Sequence, residues 1–173
     1  VLSSPTKKPN SVIYILPEAF YGCTGLTNLS LGSGLTSIGN CAFQECSGLT
    51  KITIPNSVTK IGDKAFYKNT SLKEVNLGTS LTTIGNKAFA YCKLTSIHIP
   101  QSVTNIGDET FYGCSKLDTV YCYASNVPSG ESPFINCNTE NATLYVPLSA
   151  INAYKANSNW NKFKNINILF HLL

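Results

Sequence analysis

The amino-acid sequence predicts an α/β repeat solenoid. We expect a right-handed stack of units of about 23 residues, each made of short strands and short helical turns, with a C-terminal helical cap. Two observations predict this fold class: a phenylalanine recurs at spacings of 23, 23, 23 and 22 residues, and the residues around it recur as well. Self-similarity at such a period is the signature of stacked supersecondary units. The recurring residues are Phe20, Phe43, Phe66, Phe89 and Phe111.

The repeat divides the chain into three parts. We expect an N-terminal extension at residues 1–11, a repeat array at residues 12–147, and a C-terminal cap and tail at residues 148–173. The array has five clear units and a degraded sixth unit around Phe134, which follows Phe111 by 23 residues. Because the sequence does not open with Met or a signal peptide, we expect a fragment or a mature form.

Each unit follows one physical plan. An "LxxI" segment predicts a short extended piece with apolar ends turned inward. A glycine followed by Asn or Asp then predicts a tight turn and a helix N-cap, and the "xAFxxC" segment after it fits one or two helical turns. A closing "LxxIxIP" segment alternates as a strand, with Ile52 and Ile54 inward and Lys51 and Thr53 outward. The predicted N-caps are Asn40, Asp63, Asn86 and Asp108.

The last section of the chain departs from the period. Its sequence "SAINAYKANSNWNKFKNI" predicts a helix with Ser149 as N-cap. Because the last unit of a solenoid must be covered, we expect this helix to be the C-terminal cap. The expected apolar contacts are Ile151, Tyr154, Trp160 and Phe163.

The consensus "LTxIGxxAFxxCxxLxxIxIPxS" resembles the BspA-like leucine-rich repeat family, found on surface proteins of bacteria and of some protozoan parasites. The resemblance covers about residues 12–124 and runs through five successive units. The ending "ATLYVPLSAINAYKANSNWNKFKNI" is similar to the segment that follows such arrays in Bacteroides-type proteins. The resemblance implies a leucine-rich-repeat solenoid, secretion or display at the cell surface, and a role in adhesion or ligand binding.

Composition and charge argue against a nucleic-acid partner and against a membrane-spanning segment. The net charge of +4 comes from 13 lysines and 9 acidic residues, without any arginine. Because arginine carries most phosphate and base-edge recognition, and the lysines form no stripe, we expect no nucleic-acid partner. No apolar run approaches the ~20 residues of a membrane span, so we expect no transmembrane segment in this stretch.

Five of the seven cysteines occupy one repeated slot, three residues after a phenylalanine, which Asn69 fills in the third unit. This slot favours an inward structural ladder, with disulfides between neighbouring units as the alternative, although stacked side chains point in parallel. Cys122 is expected to be buried, and Cys41, in a surface-facing slot, to be the most reactive thiol. The five slot cysteines are Cys23, Cys46, Cys92, Cys114 and Cys137.

Catalytic and metal-binding patterns are missing from the sequence. It contains no G-x-S-x-G, phosphate-loop or H-E-x-x-H motif and no C-x-x-C pair. Its two histidines are His98, at an outward and variable strand position, and His171. We therefore expect no catalytic residue, no metal and no cofactor, and a protein that is not an enzyme.

The outward face of the main strands is the candidate ligand-binding surface. Inward positions are dictated by packing, whereas outward positions are free to vary, and tyrosines there offer large area at small entropy cost. An ordinary solvated sheet face is the alternative. The candidate residues are Lys51, Thr53, Glu74, Asn76, Ser96, His98, Thr119, Tyr121 and Tyr145.

Together with what the resemblance implies, these patterns predict a non-enzymatic module, secreted or at the cell surface, that mediates adhesion or protein or glycan binding through its exposed sheet face. The expected partner is a host or bacterial surface protein or glycan, and the oligomeric state is left open. One alternative is a structural spacer or coat element of a larger surface protein. Another is an enzyme or redox protein that uses the cysteines.

Overall fold

The structure is a computed structural model that describes residues 12–170. The expected N-terminal extension at 1–11 and His171 lie outside the described residues. The described range contains short strands and one α-helix, α1 (Ile151–Ala156), preceded by a 3-10 turn at Leu148–Ala150. The strands are β1 (Tyr14–Ile15), β2 (Ser37–Ile38), β3 (Lys51–Thr53), β4 (Lys60–Ile61), β5 (Glu74–Asn76), β6 (Thr83–Ile84), β7 (Ser96–Ile99), β8 (Asn105–Ile106), β9 (Thr119–Cys122), β10 (Thr143–Val146) and β11 (Asn165–Ile168).

All strand pairs are parallel and join equivalent positions of successive units. A minor sheet has the order β1-β2-β4-β6-β8, and its register sets Ile38, Ile61 and Ile84 in one line. The main sheet is built by the pair β3-β5 and the ladder β7-β9-β10-β11. The predicted fold class, a solenoid with a repeat of about 23 residues, is thereby confirmed.

A spine of phenylalanine rings runs through the core. Successive rings of the six units stack nearly parallel, with interplanar angles of 2° to 11° and centroid distances of 5.1 to 5.8 Å. Such distances between parallel planes mean offset stacking, which the aromatic quadrupole favours by about 0.5–1.5 kcal/mol for each pair. Phe43, Phe66, Phe89 and Phe111 are fully buried, whereas Phe20 in the first unit is 39% exposed.

The predicted short helices and N-caps are wrong in detail. The segment after each Gly-Asn or Gly-Asp pair forms four-residue turns instead of a helix, as where Ala42 N–H bonds to Gly39 O. The residue after the supposed cap has positive φ, as Cys41 (56°) and Lys64 (54°) show. This left-handed conformation interrupts a helix and turns alternate N–H groups toward the next unit.

The Asn or Asp side chain that was expected to cap a helix bonds the neighbouring unit instead. Asn40 Oδ1 accepts from the backbone N–H of Asp63 at 2.9 Å, and Asp63 Oδ1 accepts from Asn86 N–H at 2.8 Å. Asn86 and Asp108 continue the same pattern. These residues therefore hold units together, which explains why every regular unit keeps a short amide or carboxylate there.

The glycine before each Asn or Asp is needed for close approach of the units. A Cβ at Gly62 would lie 2.5 Å from Asn40 Oδ1 and 2.7 Å from Asn40 N. Its φ is not in the positive range, so a glycine-specific turn does not explain it. Only glycine lets the backbones meet at this distance.

A single deletion divides the main sheet. The fourth unit is one residue shorter between Cys92 and Leu94, and Lys93 N–H bonds to Leu72 O at 2.9 Å. In the equivalent position of the neighbouring units, Lys73 N–H bonds to Thr50 O and Asp118 N–H bonds to Thr95 O, whereas Thr95 N–H makes no such bond to Lys73 O among the described residues. As a result β5 and β7 belong to separate hydrogen-bonded ladders.

The C-terminal segment covers the last units through aromatic edges. Trp160 and Phe163 meet the Phe134 ring edge-on at centroid distances of 5.2 and 5.0 Å, which ends the parallel stack. Tyr154 is fully buried, and its hydroxyl donates to Ala124 O at 3.0 Å. The prediction of Ser149 as N-cap is wrong: the 3-10 turn starts at Leu148, so Ser149 lies inside it without a capping bond.

The repeated cysteine slot forms an inter-unit ladder of thiol donors. Four of the five slot thiols donate to the phenylalanine carbonyl of the preceding unit, at 3.1 Å for Cys46, 3.3 Å for Cys92, 3.2 Å for Cys114 and 3.0 Å for Cys137. Asn69 is fully buried in the same slot, but neither amide atom bonds to any described residue. An unsatisfied buried amide costs free energy.

The Asn69→Cys substitution is expected to raise the free energy of unfolding by about 1–3 kcal/mol, the range for a buried polar group that lacks its hydrogen bond. The new thiol would reach the Phe43 carbonyl as its neighbours reach theirs. Urea denaturation measures this change. The reciprocal Cys46→Asn variant is the matched control and should lose stability; an unchanged or lower stability in Asn69→Cys would contradict the role assigned to the thiols.

Candidate functional site

The N-terminal half of the main-sheet face is polar and solvated. Register sets Lys51 beside Glu74 and Thr53 beside Asn76, and all four side chains are exposed. Asn76 Nδ2 donates to Glu74 Oε1 at 2.9 Å. Asn28 and Ser30, which occupy the corresponding positions of the first unit, lie outside any strand. This half therefore presents short polar groups and charges without aromatic area.

The C-terminal half of the face carries an aromatic column. The second ladder aligns His98 with Tyr121 and Tyr121 with Tyr145. The rings stack. The centroids of His98 and Tyr121 are 4.3 Å apart with an interplanar angle of 18°, and those of Tyr121 and Tyr145 are 5.1 Å apart with an angle of 14°. Ser96 and Thr119 form the half-buried column beside it. We call His98, Tyr121 and Tyr145 the aromatic column.

Tyr123 is a further outward aromatic residue that the sequence interpretation missed. Its hydroxyl lies 3.0 Å from His98 Nδ1, with ring centroids 6.0 Å apart. Desolvation lowers the pKa of His98 and raises the pKa of Tyr123, so both are uncharged at neutral pH. Its position two residues after Tyr121 was the available signal, because side chains alternate along a strand.

The structure divides the cysteines into buried and accessible thiols, none of them in a disulfide. Burial raises the pKa of Cys92 to about 12, and the pKa of buried Cys122 is also raised by burial. The inward prediction is wrong for Cys23, which is exposed because no described unit precedes it. Desolvation raises the pKa of half-exposed Cys41 as well, which does not favour its thiolate.

Residues 12–170 bring together no group of three or more His, Cys, Asp or Glu side chains that could hold a metal ion. In that part of the chain, no helix has the length and apolar character to cross a bilayer.

Comparison with protein families identifies the repeat. A family model described as "BspA type Leucine rich repeat region" matches in six copies, over residues 4–118 and 82–172. The chain belongs to the BspA-type leucine-rich repeat family. The resemblance in the consensus is thus confirmed, and the match reaches through the C-terminal segment. No curated protein matches the chain.

Solved structures of bacterial repeat proteins are similar to this BspA-type chain. A leucine-rich repeat protein of T. pallidum is 29% identical, with a TM-score of 0.65, over 78% of this chain and 62% of that one. A leucine-rich cell surface protein of Faecalibacterium prausnitzii is 28% identical, with a TM-score of 0.53, over 80% of this chain and 31% of that protein. The pneumococcal vaccine antigen PcpA shares the fold at 23% identity, with a TM-score of 0.63, over 80% of this chain and 40% of the antigen. The chain therefore spans less than two thirds of each of these proteins.

The free energy of unfolding is expected to fall as pH rises from 9 toward about 12, in part through Cys92. In the unfolded chain this thiol ionises near its ordinary pKa of 9.0, whereas the folded protein keeps the proton up to about 12. Rising pH therefore favours the unfolded state in that window, and below pH 9 the thiol is protonated in both states. Urea denaturation of Cys92→Ala should show a shallower decline than the parent chain.

Cys23→Ala is the matched control for this measurement, since it removes the exposed member of the same slot. It should leave the decline unchanged. If the free energy of unfolding falls equally steeply with pH in Cys92→Ala and in the parent chain, the buried thiol does not contribute to the decline.

Proposed function

We propose that this BspA-type domain is a non-enzymatic binding module, secreted or displayed at the cell surface, that mediates adhesion. Its partner would be a host or bacterial surface protein or glycan, bound through the outward face of the main sheet. The observation that carries the proposal is the aromatic column, which lies on a face that packing leaves free to vary. Mechanism here means shape and polar complementarity on a rigid scaffold.

The energetics of the column support binding over an ordinary solvated face. Tyr121 and Tyr145 are half-buried and held by stacking, so little side-chain entropy remains to be lost when a partner covers them. Their hydroxyls keep a polar tip at the surface. Rings of this kind dominate the binding energy at protein interfaces.

The relatives support the surface location. One similar structure is a cell surface protein and another is a vaccine antigen, and both descriptions belong to those proteins. Because this chain spans only part of each, the activity of the whole protein is also part of the proposal. The proposal assigns no catalytic residue to this chain.

The second candidate is a structural spacer or coat module of a larger surface protein. The N-terminal half of the sheet face favours it, since Lys51, Thr53, Glu74 and Asn76 present only solvated polar groups. In that case neither half of the face would bind a partner, and the aromatic column would only cover the end of the sheet.

Replacing Tyr121 or Tyr145 with Ala is expected to weaken binding at least tenfold, because each substitution removes a ring from the column. The measurement is surface plasmon resonance against a panel of host extracellular-matrix proteins, bacterial surface proteins and glycans, followed by titration of the bound member. Tyr91→Ala is the matched control, since it removes a 42% exposed tyrosine from the turn surface. Tyr121→Phe should retain most of the affinity.

If a panel member binds with the same affinity to Tyr121→Ala, Tyr145→Ala and the parent chain, the aromatic column is not the binding surface. If no member binds the parent chain, the spacer function is favoured.

A further inference from the structure

Two neighbouring hollows lie where the strands of the main sheet end. The first, of about 310 Å³, has Leu77 and Pro100 in its lining together with the His98 ring. The second, of about 530 Å³, is lined by apolar side chains that include Leu148, Leu169 and Phe170. Both are bounded by Gln101 and Tyr123, so they form one feature. We call it the strand-end groove.

The groove is apolar and carries no lysine, aspartate or glutamate in its lining. Its two ionisable side chains with shifted pKa values, His98 and Tyr123, are uncharged at neutral pH, and desolvation shifts the pKa of each further toward the uncharged form. Leu148 is 68% exposed and Phe170 is 84% exposed, which is unusual for side chains of this size. A charged partner segment would lose its hydration here without an opposite charge to replace it.

Gln101 and Tyr123 are the polar residues on the wall that the two hollows share, and each hollow has one further hydroxyl, from Thr79 in the first and Ser125 in the second. The Gln101 side chain is exposed and makes no hydrogen bond to any residue in 12–170. Its amide both donates and accepts, as a peptide group does. Pro100 and Pro147, which follow β7 and β10, contribute ring carbons and no N–H donor. The groove thus offers two apolar sites and one peptide-like polar site.

The spacing of the hollows matches a polyproline II segment. The first hollow lies at the end of β7 and the second at the ends of β10 and β11, and β9 lies between them. Two strand spacings of ~4.8 Å separate β7 from β10 by about 10 Å. Side chains at positions i and i+3 of a polyproline II helix lie on one side, about 9 Å apart. Aromatic-lined grooves are the usual docking sites of such segments.

We propose that the strand-end groove binds an uncharged, extended peptide segment of the partner, with two apolar side chains three positions apart. One side chain enters beside His98 and the other beside Leu148 and Phe170, while Gln101 bonds the peptide backbone between them. The inference rests on the proposed function and names its partner as a protein. Against Leu148, Leu169 and Phe170 the hydroxyls of a glycan would lose water without a hydrogen-bond partner from those side chains, since the polar side chains of this hollow are confined to Gln101, Tyr123 and Ser125.

The test is selection of a phage-displayed library of random linear octapeptides on the whole chain. Enriched sequences should share two apolar residues at i and i+3 and be depleted in charged residues. One enriched peptide is then synthesised with blocked ends and titrated by fluorescence anisotropy. Gln101→Glu and Leu148→Asp should each weaken its binding at least tenfold, because both place a carboxylate in the groove. Asn28→Asp adds the same charge at an exposed site of the first unit and should leave the affinity unchanged.

Amide chemical shifts locate the bound peptide, which should move the signals of Leu77, Gln101 and Leu169. A library without this pattern, or full affinity in Gln101→Glu, would overturn the groove proposal. A neutral oligosaccharide that changes the chemical shifts of the same amides would also overturn it. So would a change in those chemical shifts when residues 171–173 are deleted, because the groove would then hold the end of this chain. If Tyr121→Ala no longer binds a surface partner while Gln101→Glu binds that partner with the affinity of the parent chain, the proposed function is supported and the groove proposal is not.

Discussion

Offset stacking of one phenylalanine per unit is the constraint on which the rest of the structure depends. Ring centroids 5.1 to 5.8 Å apart set the advance of the chain from unit to unit close to the ~4.8 Å spacing of parallel strands. Because one unit cannot bury its ring alone, each ring is stabilised by its neighbours. Exposure of Phe20 and the edge-on contacts of Trp160 and Phe163 show the two ways in which such a stack can end.

The polar side chains that join neighbouring units obey the same inter-unit geometry. Asn40 and Asp63 bond the backbone of the next unit, and thiols such as Cys46 bond the phenylalanine carbonyl of the preceding one. Both arrangements satisfy buried or crowded backbone groups that a helix would have satisfied internally. The cysteines are therefore understood as small donors suited to a tight slot, and Asn69 as a member of that slot whose amide lacks its bond.

The chemical character of the surface varies where the repeat leaves positions unconstrained or where the repeat ends. Outward positions of the main strands do not pack in the core, so polar residues in one half and the stacked rings of the aromatic column in the other are both compatible with the fold. The strand-end groove, in contrast, occurs where regular turns give way to Pro147 and the C-terminal segment. A shortened fourth unit also separates the two ladders, so the aromatic half is a distinct part of the sheet.

By itself the sequence determined the period, the inward residues and the outward columns, because stacked units repeat one local pattern and side chains alternate along strands. It also determined the family. Tertiary structure alone decided what the Asn and Asp side chains bond, since a helix N-cap and an inter-unit bond use the same residues at the same sequence position. It likewise decided that Ser149 caps nothing, that Cys23 is exposed, and that Tyr123 and Gln101 meet in one groove. Those outcomes depend on which units and segments lie side by side, and the residue spacing within a single unit does not predict these contacts.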